Sequence, residues 1–274
     1  TNSYKLIYFQ AILNLLYRGG FQQGIIPLEA ILREMMVLAW YPRVFYHLSF
    51  GIQDQIGQML DHLEINEHLG TRTTELRSHL DSIVLPKEAH TLLRYVPSRL
   101  LSPFFERELR SIPEYQRGGL IRDLSIEYFH ERKPFYALRD PESIEVHPAW
   151  LAYLGIHYSI IRDWARWAWL EFLQRRNPHT PALSQKLSPP PIRMSLTAQT
   201  AYWKQVMERT TLLCPYSGIR LNKDNFALDH FLPWSFIGHN QLWNLIPVDP
   251  RVNSAKGNAL PDPRYLDSLV HLQH

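Results

Sequence analysis

A chain of 274 residues, 45% hydrophobic and 20% charged, can hold one large domain or two modest ones and is composed like a soluble globular protein. Its net charge of +3 is too small to mark a nucleic-acid protein on charge alone, so any basic surface has to be local. A lone cysteine, Cys214, excludes an internal disulfide framework and a multi-cysteine zinc cage, while eight Trp, fourteen Tyr and twelve Phe predict well-filled cores.

The opening residues lack the basic, apolar, small-residue order of a secretory signal, and a cytoplasmic setting is expected. Residues 4–17 are apolar on nearly all sides and are stopped by Gly19-Gly20, which predicts a buried helix. Pro27 sits where a helix begins, and residues 28–40 keep helical spacing until Pro42. Further helices are expected over 53–63, 73–83 and 88–95. The alternation of Leu124-Ser125-Ile126-Glu127-Tyr128-Phe129 and of Ser143-Ile144-Glu145-Val146 predicts short strands.

The clearest element is a helix over 148–175, where Leu154, Ile161, Trp164, Ala168 and Phe172 form one wide apolar face. Arg162, Asp163, Arg166 and Glu171 interrupt it, so a membrane span is not expected. Arg162 and Arg166 lie one turn apart and could grip a phosphate backbone, although a surface ion pair is the more ordinary use. Asn177-Pro178-His179-Thr180-Pro181 and Pro189-Pro190-Pro191 cannot continue the helix. The domain plan is therefore a helical domain over 1–176, a proline-rich linker over 177–194 and a second domain over 195–274, opening with a helix that carries Trp203 and Val206.

That second domain carries the chemistry. A short strand ends in adjacent Asp229 and His230, Pro233 and Gly238 flank a loop, 244–248 forms a second strand, and Asp249 or Pro250 starts a helix bearing Asn253 and Lys256. Such a strand-loop-strand-helix unit can gather Asp229, His230 and Asn253 although they are distant in sequence. Phosphodiester hydrolysis needs a base that titrates near neutrality, which suits histidine. It also needs a cation held by hard oxygen donors, and Asp229 with the Asn253 carboxamide suits Mg²⁺.

Asp-His, an Asn fourteen residues after the His, another nine beyond it, and then Ser-Ala-Lys-Gly resemble the HNH (His-Me finger, ββα-metal) endonuclease motif over about residues 212–261. The resemblance implies an α+β fold, with a mostly α-helical N-terminal domain followed by a small ββα-metal nuclease domain. It implies metal-dependent hydrolysis of DNA, leaving 5′-phosphate and 3′-hydroxyl ends. His230 would be the general base, Asp229 and Asn253 the metal ligands, and Asn244 the residue that tethers the loop and holds the base. Lys256, read by itself, is either a solvated helix charge or a contact to a phosphate oxygen. Asparagine at the third motif position is shared with HNH domains of RNA-guided CRISPR effectors and favours Mg²⁺ or Mn²⁺.

Many HNH proteins frame the unit with two Cys-x-x-Cys pairs. Here Cys214 stands where the first would begin and Ser217 takes its partner's place, so no structural zinc is expected. Packing by Phe226, Phe231, Trp234 and Trp243 is expected to replace it, with Cys214 a small buried residue. His239 is expected to face solvent, and His271 and His274 to be frayed. The segment from Phe172 to Pro178, Lys186-Leu187, Trp203-Lys204 and the opening Asn2-Ser3-Tyr4-Lys5 are similar to some bacterial HNH proteins, several of which sit in restriction or anti-phage systems. On that likeness the helical domain would bind DNA, recognise a protein partner or restrain the nuclease. A single unit cuts one strand, so duplex breaks would require a homodimer or two events. The rival readings are an RNA-cleaving HNH nuclease and a non-catalytic nucleic-acid-binding or assembly module on the same fold.

Overall fold

The computed structural model describes residues 3–51, 55–63, 72–190 and 195–273 and has the expected α+β class. It separates into two compact units, Thr1–Pro178 with Lys186–Pro189, and His179–Gln185 with Pro190–His274. No described helix is long and apolar enough to cross a membrane.

The first unit is built on α1 (Ser3–Arg18), α2 (Leu28–Trp40) and α8 (Pro148–Gln174). Ile7, Tyr8, Ala11 and Ile12 of α1 are fully buried, and α1 packs on both α2 and α8. As the Gly19-Gly20 pair predicts, the chain leaves α1 through a left-handed turn, with Gly20 at φ +61° and Phe21 N donating to Leu16 O at 2.9 Å. Pro27 caps α2, but Pro42 does not end the helical path. It occupies the first turn of a π-helical segment, Tyr41–Phe45, where its missing N–H is tolerated. Glu34 of α2 is 2% exposed and is held by Asn14, Arg18 and by Arg77 of α4 (Thr73–Ser82).

Between these helices lie β1 (Ile25–Pro27), α3 (Gln55–His62), α5 (Lys87–Thr91), α6 (Val96–Leu101), α7 (Glu114–Glu127), β2 (Tyr136–Ala137) and β3 (Ser143–Val146). The strands form an antiparallel sheet ordered β1-β3-β2, with Ile26 opposite Ile144 and Tyr136 opposite Val146. Ser143–Val146 is thus a strand as read, but residues 124–127 end α7. Ile121, Leu124 and Ser125 are buried at helical spacing, and the two-residue alternation was a coincidence of composition.

On α8 the correction concerns its faces. The buried residues are Leu154, Tyr158, Ala165, Trp169, Phe172 and Leu173, whereas Trp164 is 63% exposed. Arg162 pairs with Asp163 at 2.8 Å and Arg166 donates to Ser188 Oγ at 2.8 Å. The proline-rich segment expected as a linker contains a 3-10 turn, Leu183–Leu187, in which Leu183 and Lys186 are buried. Burial pushes the Lys186 ammonium down to about 8.

The second unit starts with α9 (Thr197–Arg209) and continues through β4 (Ala227–His230), α10 (Trp234–Ile237), β5 (Leu245–Val248), α11 (Pro250–Lys256) and α12 (Leu266–Gln273). β4 and β5 are antiparallel, with Asp229 opposite Ile246 and His230 opposite Leu245. Phe231 N donates to Asn244 O at 2.8 Å, extending the ladder by one pair. Residues 229 and 246 therefore exchange hydrogen bonds, while Leu228, His230, Leu245 and Pro247 turn their backbone groups outward. Pro247 is accommodated at such an outward position.

Candidate active site

Strand alternation sends Ala227, Asp229 and Phe231 to one face of the hairpin and Leu228 and His230 to the other. The first face is the core: Phe231, Ile246, Val248 and Cys214 are buried, with Tyr216, Val252, Tyr265 and Leu269 packed against them. Cys214 is buried as expected and accepts from Asp249 N at 3.5 Å. The turn it opens closes through backbone bonds, Gly218 N to Cys214 O and Cys214 N to Ile219 O, both 2.8 Å. Of the aromatics expected to replace zinc, Phe231 and Trp234 are buried and Phe226 is half-buried. Trp243 is 43% exposed, its indole N–H donating to Gln241 Oε1.

Asp229 enters that core as a carboxylate only 4% exposed. Tyr216 donates to its Oδ2 at 2.7 Å, and the Lys256 ammonium reaches its Oδ1 at 3.1 Å. Lys256 also donates to the outward-turned carbonyl of His230 at 2.9 Å. Burial, with the Asp229 hydrogen bond second, holds the Tyr216 phenol far above its ordinary range, so it stays a donor. Lys256 lies inside the fold with a side-chain exposure of 9%, turned toward Asp229 instead of into solvent.

Asn244 is fully buried, and its carboxamide spans the loop by accepting from Leu232 N at 2.8 Å and donating to Leu232 O at 2.9 Å. This fixes the chain immediately beyond His230. The His230 ring, half-buried, places Nε2 2.9 Å from Asn240 Oδ1. An amide oxygen only accepts, so Nε2 carries the proton and Nδ1 is the basic nitrogen of that tautomer. Asn240 is tied in turn, its carbonyl accepting from Gln199 of α9 at 3.2 Å.

Asn253 lies on α11, one turn before Lys256, and is half-buried. Asp249 caps this helix by accepting from Arg251 N at 2.8 Å. The Asn253 carboxamide makes no hydrogen bond to a described residue, Asp229 included. The structure therefore gathers Asp229, Tyr216 and Lys256 into one cluster and keeps His230 on the opposite face of the hairpin, linked through its own carbonyl. Tyr216 and Asn240 had no role in the sequence reading. Tyr216 sits inside the Cys-Pro-Tyr-Ser turn, and only the folded hairpin brings it to Asp229, thirteen positions away.

Among the described residues no group of three His, Cys, Asp or Glu could hold a metal ion, so a zinc-type cage has no ligand set there. Asp229 and the Asn253 carboxamide are hard oxygen donors of the kind Mg²⁺ takes. Asp229 already carries a cation against its carboxylate, and the Asn253 carboxamide is uncommitted. Mg²⁺ takes few protein oxygens and keeps several waters. His239, expected in solvent, is half-buried beside Trp243, with ring centroids 5.4 Å apart. His271 lies within α12 and donates from Nδ1 to Asp267 O at 2.7 Å, while His274 falls outside the described residues.

An antiparallel hairpin followed directly by a helix that packs on it is a ββα unit. Residues 214–262 match the family model described as HNH endonuclease. The matched segment contains Asp229, His230, Asn244, Asn253 and Lys256, and the C-terminal unit accordingly carries an HNH-type domain. No curated protein and no solved structure matches the chain.

Proposed function

We propose that the C-terminal unit is a metal-dependent endonuclease that hydrolyses phosphodiester bonds of DNA. The observation that carries this reading is Asp229, a buried carboxylate neutralised by a cation on the same strand as His230, within the segment that matches the HNH endonuclease family.

In this proposal His230 takes a proton from the attacking water at Nδ1, because Asn240 keeps the other ring nitrogen protonated. Asn244 holds the loop through both polar atoms of Leu232, so that the imidazole does not drift. Asp229 and Asn253 would hold Mg²⁺, with Mn²⁺ as a substitute. When bound, the ion stabilises the charge that develops on the phosphoryl and leaving oxygens. Lys256, now on Asp229, would become available to a phosphate oxygen when the ion takes over its charge-balancing role. The helical unit would bind DNA or a protein partner, in the manner of an effector in restriction or anti-phage defence.

His230→Ala should lower Mg²⁺-dependent cleavage of plasmid DNA by roughly 10²- to 10⁴-fold, with DNA affinity and melting midpoint unchanged. Wild-type rates on that scale in the variant would move the base role elsewhere. Matched RNA in the same assay distinguishes the two nucleic acids, and preference for RNA would replace the DNA assignment.

A further inference from the structure

Along its outer face α8 carries a second apolar stripe of exposed residues. Tyr153, Ile156, Ile160, Trp164 and Trp167 are 49%, 78%, 74%, 63% and 65% exposed. At about 100° per residue these five side chains fall within one narrow sector of the helix, well away from the face of Leu154, Tyr158, Ala165 and Trp169 that enters the core. No charged residue belongs to the stripe. Taking aromatic side chains at ~150–250 Å² each and isoleucine at somewhat less, it leaves about 700 Å² of apolar surface open. That exceeds the ~300–600 Å² of the largest patch on a typical monomer.

The spacing says what fits it. Successive gaps along the stripe are three, four, four and three residues, the same in either chain direction. An antiparallel copy of α8 related by a twofold axis at Ile160 therefore sets Tyr153 against Trp167, Ile156 against Trp164, and Ile160 against itself. A twofold interface requires that self-complementarity, since each copy offers the same patch. Two such patches bury about 1,400 Å², inside the ~1,200–2,000 Å² range of stable complexes. Gaps of three and four residues also keep the stripe on one side of the helix, as side-by-side packing requires.

We infer that two copies of this chain associate through α8, antiparallel, with Ile160 on the twofold axis. The inference stands apart from the nuclease reading, because oligomeric state is measured without any substrate. If that reading also holds, the dimer carries two HNH-type domains in one particle.

Light scattering on the full chain should give twice the 32.3 kDa chain mass at micromolar concentration. Ile160→Glu sets two carboxylates against each other on the axis and should raise the dissociation constant at least about a hundredfold. Its melting profile as a monomer should show both units folded, since Ile160 takes no part in the core. Orientation is read from cross-linking, with little background because Cys214 is the only cysteine and is buried. Ile160→Cys should be linked into a covalent dimer by oxidation or a short bismaleimide. Ile156→Cys should not, because antiparallel pairing separates its two copies by about 12 Å along the helices. A monomer throughout the micromolar range overturns the inference, including one that instead adsorbs to lipid vesicles through the stripe. So does a dimer indifferent to Ile160→Glu, and equal cross-linking at 156 and 160 would show a parallel pair and refute the geometry.

Discussion

Replacing Lys256 by methionine keeps the aliphatic stem and removes the charge, leaving Asp229 without the cation now 3.1 Å from its carboxylate. Both side chains are almost fully buried, at 9% and 4% exposure, so surface screening does not soften the loss. Removing one partner of a buried pair costs ~3–5 kcal/mol. Tyr216 still donates to Asp229 at 2.7 Å, so the lower end, ~3 kcal/mol, is expected. For a unit this size each kcal/mol moves the melting midpoint by about 4–8 °C, which predicts a drop of roughly 12–24 °C by calorimetry. If Asp229 and Asn253 accept a divalent ion, Mg²⁺ should restore much of this. At a hundred times its dissociation constant a bound ion contributes ~2.7 kcal/mol. The wild type should respond less, because there the ion competes with Lys256. A variant whose midpoint is the same with and without Mg²⁺ would refute the metal assignment without any activity measurement. A midpoint within about 2 °C of wild type would refute the buried pair itself.

Asn244→Ala removes both hydrogen bonds to Leu232 from a fully buried site and should destabilise the C-terminal unit by ~2–4 kcal/mol, read as faster hydrogen exchange at Leu232 and an earlier melt. Glu34→Ala removes the buried partner of Arg77 and Arg18 in the helical unit; the two guanidiniums keep solvent contact, at 27% and 42% exposure, so the cost by urea denaturation should stay below ~3 kcal/mol, with the HNH-type domain unaffected. Alkaline pH tests buried tyrosines: burial pushes Tyr46 up to about 12 and raises Tyr8 and Tyr136 further. Their folded values exceed the unfolded one, so their contribution is complete below pH about 10 and is lost as pH climbs toward and beyond 12. Tyrosinate absorbance should then rise in one cooperative step with unfolding, and gradual independent titration would contradict this.

Periodicity and punctuation made much of the helical unit legible in the sequence. Gly19-Gly20, Pro27 and the spacing within 148–175 mark the ends of α1, α2 and α8. Trp164 was misplaced because helical spacing alone does not say which of two apolar stripes meets the core. Residues 124–127 were misread because six residues are too few to separate a two-residue period from a helix that buries Leu124 and Ser125. At the site, Asp229, His230, Asn244 and Asn253 stood out through their order and intervals. Tyr216 and Asn240 did not, since a phenol meeting a carboxylate thirteen positions away, or an amide steering a ring ten away, leaves no local pattern. Nor does the chain text reveal that Lys256 folds inward.

The outward carbonyls of the β4–β5 hairpin have a consequence for how this domain survives at high concentration. A two-stranded ribbon has two open rims, each a template on which a foreign strand could grow. Here the oxygen of His230 on one rim is taken by Lys256 and that of Leu245, directly opposite, by the Trp203 indole at 3.0 Å, while Pro247 has no proton to offer. The same lysine that balances Asp229 thus also occupies an acceptor on one rim, as the Trp203 indole does on the other.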